Sequence, residues 1–203
     1  MNLIREVVVP IKEEDGLNEK LLIDALKKRQ NWAYEVLYRE YAPKIGSIAK
    51  SFLNSDDVDD VVQDVIIRVL KGIKKFRGDS KLSTWIYRIT VNVCKDYLQR
   101  YKRRNEVFTD FQEGEEDEYY LQPKSGEDIL KDSLLEITAE RVRMALEKLS
   151  PEDRLLIKLR DVDDLSYEEI ANILQKPVGT IKSRLHYARQ RLRKILEEGE
   201  ENG

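Results

Sequence analysis

Between Lys182 and Lys194 the chain carries six basic side chains and no acidic one. Lysine and arginine at that density neutralise phosphates, and from the outer face of a helix they reach base edges in a major groove. Projected at 100° per residue, Ile181, Leu185, Ala188 and Leu192 fall on one side of a helix. Lys182, Ser183, His186, Tyr187 and Gln190 fall on the other, with Thr180 at the N-terminal tip and Arg184 and Arg189 on the flanks. Base edges in a major groove meet the N-terminal part of such a helix. Lys182, Ser183 and His186 are therefore the expected base readers, and Arg184, Arg189 and Arg193 the expected phosphate contacts. The bland reading, a solvated C-terminal helix, leaves this uninterrupted positive run unexplained.

Other reactive side chains lead nowhere comparable. His186 is the single histidine and Cys94 the single cysteine, so neither a disulfide within the chain nor a Cys/His zinc site is expected. Asp60 and Asp64 stand four apart on one helix face, as paired carboxylates do in metal sites, but no ligands from other segments accompany them. A nucleophile with a matching base is not evident either, which disfavours a nuclease or any other enzyme. No cofactor and no metal are expected.

A helix-turn-helix positions the basic face. Ser166 to Glu169 reads as a capping box that opens one helix, Gln175-Lys176-Pro177 as the turn, and Val178 to about Leu196 as the second helix. Small Ala171 permits close approach of the two. Upstream, Ser150-Pro151-Glu152-Asp153 has a capping hydroxyl, a proline at the first helical position and acids at the positive helix end. Ala139, Val142, Ala145, Leu146 and Leu149 form an earlier amphipathic helix. Four short helices from about Ser133 onward make one small domain.

The first half is also helical. Leu22, Ala25 and Leu26 open it, and Ala33, Val36, Leu37 and Tyr41 continue until Pro43 is expected to break or kink the path. Val58 to Ile73 is a second run, with Ser55 or Asp56 as the expected N-cap. After a loop containing Gly78, Asp79 and Ser80, a helix from about Thr84 to Tyr101 turns Ile86, Ile89, Val93 and Tyr97 inward. Its other face shows Arg88, Asn92, Lys95, Gln99 and Lys102, leading into the basic knot Arg100 to Arg104.

Between the halves, Glu106 to Asp132 holds ten acidic and two basic residues with no helical period, and reads as a linker. This segregation explains how a chain of net charge −3 can carry two basic surfaces. Hydrophobic residues at 41% suffice for a core, and charged residues at 37% fit solvated helix faces or a heat-adapted surface rich in Lys and Glu, the first being favoured. Met1 to Leu17 reads as a loosely held arm without a secretory pattern, and no apolar run is long enough to span a bilayer. A reducing, cytoplasmic setting is expected.

These segments also resemble a known family. LSYEEIANILQKPVGTIKSRLHYARQRLRK is similar to region 4, the promoter-binding C-terminal domain, of extracytoplasmic-function (ECF) sigma factors of the sigma-70 family. YEVLYREYAPKI, DDVDDVVQDVIIRVLKGIKKFRGDS and LSTWIYRITVNVCKDYLQRYKRR resemble region 2, in the family's order. Together they cover about residues 20–104 and 135–197. The resemblance implies an all-α protein of two small helical domains joined by a flexible acidic linker: an arm over 1–17, region 2 over 18–104, the linker over 105–132 and region 4 over 133–203. It implies a non-enzymatic factor that binds core RNA polymerase at the β′ clamp helices and β flap. Promoter DNA, both as duplex and as non-template single strand, and an anti-sigma factor are the other implied partners.

By the same resemblance Asp60, Gln63, Asp64 and Arg68 dock on the polymerase, although Asp64, Ile66 and Leu70 replace the Glu, Phe and Trp seen in many members. The loop Arg77–Ser83 and the helix behind it match the reader of the −10 element, with Arg77, Ser80, Trp85, Tyr87, Arg88, Asn92 and Lys95 as its residues. Backbone charge and stacking surfaces suit capture of a base flipped from a single strand. For Trp85, DNA stacking and plain core packing both fit. Thr180, Lys182, Ser183, Arg184, His186, Tyr187 and Arg189 fall on the −35 reader, where Gln175 and Lys176 replace the usual Gly and small apolar residue, so an altered turn is expected. An ordinary duplex-binding repressor accounts for residues 166–193 alone.

Overall fold

A computed structural model describes residues 16–55, 57–105 and 139–198, without side-chain detail at 16–18, 102, 104, 105, 139 and 140. Every regular element among them is helical. The helices are α1 (Gly16–Lys27), α2 (Asn31–Leu53), α3 (Asp59–Gly72), α4 (Leu82–Asn105), α5 (Ala139–Glu147), α6 (Pro151–Ile157), α7 (Tyr167–Leu174) and α8 (Val178–Glu198). A 3₁₀ turn, Ile73–Lys75, follows α3, and a π-helical turn, Lys158–Val162, follows α6. The chain divides into two compact units, with the break inside α4 between Cys94 and Lys95; Ser51–Asn54 group with the second. The arm up to Asp15, Asp56, the acidic stretch and the expected start of the second unit at Ser133 lie outside the described residues.

The core of the first unit is built from one face each of α1, α2 and α3 and more than one face of α4. Leu22 and Leu26, Leu37, Ile45 and Ile48, Val65 and Val69, and Leu82, Ile86 and Val93 are all almost fully buried. Pro43 does not end α2. It is exposed, so the carbonyl that loses its N–H partner can bond water, while Leu37, Tyr41, Ile45 and Ile48 bury a continuous stripe across it. The N-cap of α3 is Val58, with no side-chain cap; the Ser55 hydroxyl instead accepts from the Asp57 amide at 3.2 Å. Val58 sits there because its side chain is buried, and core packing outweighs capping chemistry at this position.

α4 is longer than the periodicity predicts and more enclosed. Ile89 and Tyr97 are only half-buried, whereas Tyr87, Thr90, Val91 and Cys94 join the core. The Thr90 hydroxyl is satisfied by donating to the Ile86 carbonyl at 3.0 Å. Burial pushes the Cys94 thiol up to about 12, against a weaker opposing backbone hydrogen bond.

In the second unit the local capping chemistry forms as the sequence predicts. The Ser150 hydroxyl accepts from the Asp153 amide at 3.2 Å, with Pro151 inside the first turn. Ser166 and Glu169 close a reciprocal capping box at 3.0 and 3.2 Å. Each such cap stabilises its helix by about 1 kcal/mol. α7 then ends in a left-handed residue, Gln175, at φ 55° and ψ 43°. Ile170, Ala171 and Ile173 of α7 and Ile181, Leu185, Ala188 and Leu192 of α8 fill the core between them, with Leu155, Leu156 and Leu159 beneath.

Candidate nucleic-acid and polymerase interfaces

α8 buries the four residues that the periodicity turns inward and leaves the opposite face open. Lys182 and Gln190 are exposed; Thr180, Ser183, Arg184, His186, Tyr187 and Arg189 are half-buried around them. The Ser183 hydroxyl donates to the Thr180 carbonyl at 3.1 Å, so its oxygen remains able to accept. The His186 and Tyr187 rings meet edge to face at 5.5 Å. Lys182 lies 5.4 Å from the centre of the Tyr167 ring, and Arg160 lies 5.2 Å from the same ring. Tyr167, the first residue of α7, thus holds the Lys182 ammonium over its ring in a cation–π contact of about 0.5–1 kcal/mol.

Acids from neighbouring segments engage the arginines of this face. Arg184 pairs with Glu152, Arg189 with Asp161, and Arg191 with the buried Asp153 at 2.8 Å. Lys176, in the turn, is also within 3.9 Å of Glu152. Further along, Arg193 pairs with Glu197 at 2.6 Å on the same helix. Burial pushes the Glu152 carboxyl up, but Lys176 and Arg184 together outweigh it and hold the group below its ordinary value. Sequence reasoning assigned Glu152 and Asp153 only to the helix dipole. Their partners lie on α8, 32 residues on for Arg184, and no local spacing signals that distance.

The second surface is the loop after the 3₁₀ turn together with the open side of α4. Arg77 and Asp79 are exposed, Ser80 is half-buried, and Gly78 at φ 81° takes the left-handed turn. Asn92 is exposed, and Arg88 and Lys95 are half-buried along the same side of α4. Tyr87 is not part of that surface. At 8% exposure its ring packs in the core and offers no open face for stacking. Trp85 is intermediate: its ring lies 5.0 Å from that of Phe76, and a Cβ at Gly72 would come within 3.1 Å of it. Gly72 therefore makes room for the indole, and core packing accounts for much of its position.

On α3, Asp60 and Gln63 are exposed, and Asp64 and Arg68 form a half-buried bidentate pair at 3.2 and 3.3 Å. The helix buries Val61, Val62, Val65 and Val69 on its other side. Ile67, 48% exposed, continues the stripe of Asp60, Gln63 and Asp64 at helical spacing and escaped the sequence reading. Its signal was its place three residues after Asp64. Among the described residues no group of acidic, histidine and cysteine side chains is arranged to hold a metal ion.

The sequence matches the sigma-70 region 2 family over residues 37–104 and the sigma-70 region 4 family over 139–192. It is 36% identical over 179 residues to the ECF RNA polymerase sigma-E factor of Escherichia coli K12, spanning 87% of this chain and 93% of that protein. The chain belongs to the ECF group of sigma-70 factors. The sigma-E factor of Haemophilus influenzae is 31% identical over 180 residues, 87% of this chain and 94% of its own length. Among solved structures, the sigma factor RpoE of Bartonella quintana, crystallised with the anti-sigma factor NepR, aligns at a TM-score of 0.57 with 27% identity, over 81% of this chain and 96% of that one. CnrH, solved with the cytosolic domain of CnrY, shares the fold at a TM-score of 0.62 and 24% identity, over 89% of this chain and 97% of its own. This sigma factor is thus a promoter-recognising initiation factor with a region 2 and a region 4 domain, and core RNA polymerase and promoter DNA are its partners. Among the described residues no helix is long and apolar enough to cross a membrane.

Proposed function

We propose a specific division of labour for the three surfaces of this sigma factor. The α3 stripe of Asp60, Gln63, Asp64 and Arg68 docks on the clamp helices of the polymerase β′ subunit, with Ile67 at its centre. Region 4, also held by the β flap, lays α8 in the major groove of the −35 element. Thr180, Lys182, Ser183, His186 and Tyr187 face the bases, and Arg184 and Arg189 hold phosphates. Region 2 takes the non-template strand of the −10 element with Arg77, Ser80, Arg88, Asn92 and Lys95, while Trp85 backs the loop. Opening costs about 1.4 kcal/mol per base-pair step, and capture of an unpaired base offsets part of that.

The observation that carries this reading is the open polar face of α8 directly opposite its fully buried stripe, in a chain that also matches region 2. The working domain division is an arm over 1–17, region 2 over 18–104, an acidic linker over 105–132 and region 4 over 133–203. No bond is made or broken by this chain, and it acts in the cytoplasm, where the polymerase is. The Bartonella relative bound to NepR supports an anti-sigma partner here too. Run-off transcription with core enzyme on a genomic library, followed by mapping of start sites, tests the whole. A shared pair of upstream elements at the mapped starts is expected. Failure to associate with core enzyme or to select start sites refutes the proposal.

A further inference from the structure

Two side chains of α1 grip the two ends of the loop that precedes α4. Lys27 Nζ donates to the Phe76 carbonyl at 3.0 Å. Glu19 Oε1 accepts the Leu82 amide at 3.0 Å, across 63 residues of sequence. Leu82 is the first residue of α4, so its N–H is one of the donors that a helix start leaves unpaired. Lys81, at the capping position, carries no acceptor in its side chain. The Glu19 carboxylate supplies the missing cap and sets a negative charge at the positive helix end. Lys27 stands about 12 Å further along α1, at 1.5 Å per residue. Leu22, Ala25 and Leu26 bury the helix between the two grips, so α1 is a fixed strut rather than a loose arm. The Phe76 ring is held as well, against Trp85 at 5.0 Å. Between the grips the crown of the loop, Arg77 to Asp79, stands exposed, as does Lys81 beside the cap.

We infer that Glu19 and Lys27 are positioning residues for −10 recognition: they fix the ends of the 76–82 loop so that its crown keeps the shape that accepts an unpaired base. Neither touches DNA. The inference rests on the proposed role of this loop as the −10 reader. A tethered loop forfeits little freedom when the strand arrives, and that is where preorganisation raises affinity for the correct ligand.

The test uses holoenzyme reconstituted from core polymerase and the full chain. The probe is a fluorescent single-stranded oligonucleotide carrying the non-template −10 segment of a promoter mapped by run-off transcription. A second version has each base in turn replaced by an abasic site. The readout is the ratio of affinities for intact and abasic strands at the captured base. Lys27→Met and Glu19→Ala are each expected to lower that ratio roughly 2- to 10-fold, the scale of one part-buried hydrogen bond, with binding of −35 duplex unchanged. The conservative variants Lys27→Arg and Glu19→Gln, which keep a donor and an acceptor, are expected to retain most of it. General loosening of the fold would lower affinity for both strands and leave the ratio alone, which overturns the inference. Arg77→Ala separates the two levels. If it lowers the ratio while the α1 variants do not, the loop reads the strand and the grip is irrelevant. If neither moves the ratio, the loop reading fails and the inference falls with it. Should the Met and Ala variants not fold, loss of the ratio in Lys27→Arg and Glu19→Gln, both folded, would equally overturn it.

Discussion

Gln175 ends α7 in the left-handed region at φ 55° and ψ 43°, where a β-carbon crowds the following carbonyl. That geometry costs an ordinary residue about 1–2 kcal/mol, and glycine nothing. Gln175→Gly removes the strain but adds about 0.5–1 kcal/mol of chain entropy to be lost on folding, leaving a net gain of about 0.5–1 kcal/mol. The side chain is exposed, and the amides that close the turn, including Lys176 N–H to the Ala171 carbonyl at 3.2 Å, are backbone groups that the substitution keeps. At 1.4 kcal/mol per factor of ten, local opening of α7 and α8 becomes about 2- to 5-fold rarer. Hydrogen exchange on the full chain reads this directly: amides such as Ile173 and Ile181 slow by that factor, while Val65 in the other unit is unchanged. Binding to −35 duplex stays the same, because the turn keeps its shape. Exchange in α7 and α8 that is unchanged or faster would refute the strain argument. It would mean that the Gln175 side chain contributes more than its backbone costs.

Three further outcomes are expected from the structure. Lys182→Ala is expected to weaken binding of −35 duplex by about 1–3 kcal/mol, and Asn92→Ala to slow strand opening more than initial binding; equal effects of both on both steps, in footprinting and permanganate assays, would contradict the division of labour. Glu152 has a depressed folded pKa, so its stabilisation is complete above its ordinary value near 4.5 and is lost as pH falls through the lower folded value. Glu152→Gln therefore lowers stability near neutral pH by about 0.2–1 kcal/mol, the range for part-exposed pairs, and the difference from the parent shrinks as acid is added in a chemical melt. Cys94, buried with its thiol pushed up to about 12, resists thiol reagents at pH 8 in the folded chain. Its labelling is at least about 10³-fold slower than in denaturant, and fast labelling of native protein would show that the α4 core opens readily.

What the sequence made legible is what acts over one or two helical turns. The Ser150 cap and the Ser166–Glu169 box are decided within three residues, and both form. The inward stripe of α8 follows from spacing alone, since that helix buries apolar side chains on one side only. α4 defeats the same projection because neighbours enclose it on more than one side. A single-stripe pattern then leaves Tyr87 and Cys94 out of the inward set although they are core. Pro43 was expected to interrupt a helix, but tertiary burial on both sides of it overrides the lost hydrogen bond. Contacts across 32 and 63 residues, Glu152 with Arg184 and Glu19 with Leu82, leave no periodic trace at all.

The carboxylates already seated on Arg184 and Arg189 give the proposed docking on the −35 element the character of an exchange. A DNA phosphate arriving at such an arginine displaces a resident anion, so the gain is the difference between two charged partners rather than the whole attraction. Each displaced aspartate or glutamate then gathers cations from solution, offsetting some of those shed by the DNA. Affinity accordingly falls less steeply with ionic strength than a tally of basic residues implies. Random genomic duplex, offering phosphates without matching bases, has little with which to win the trade.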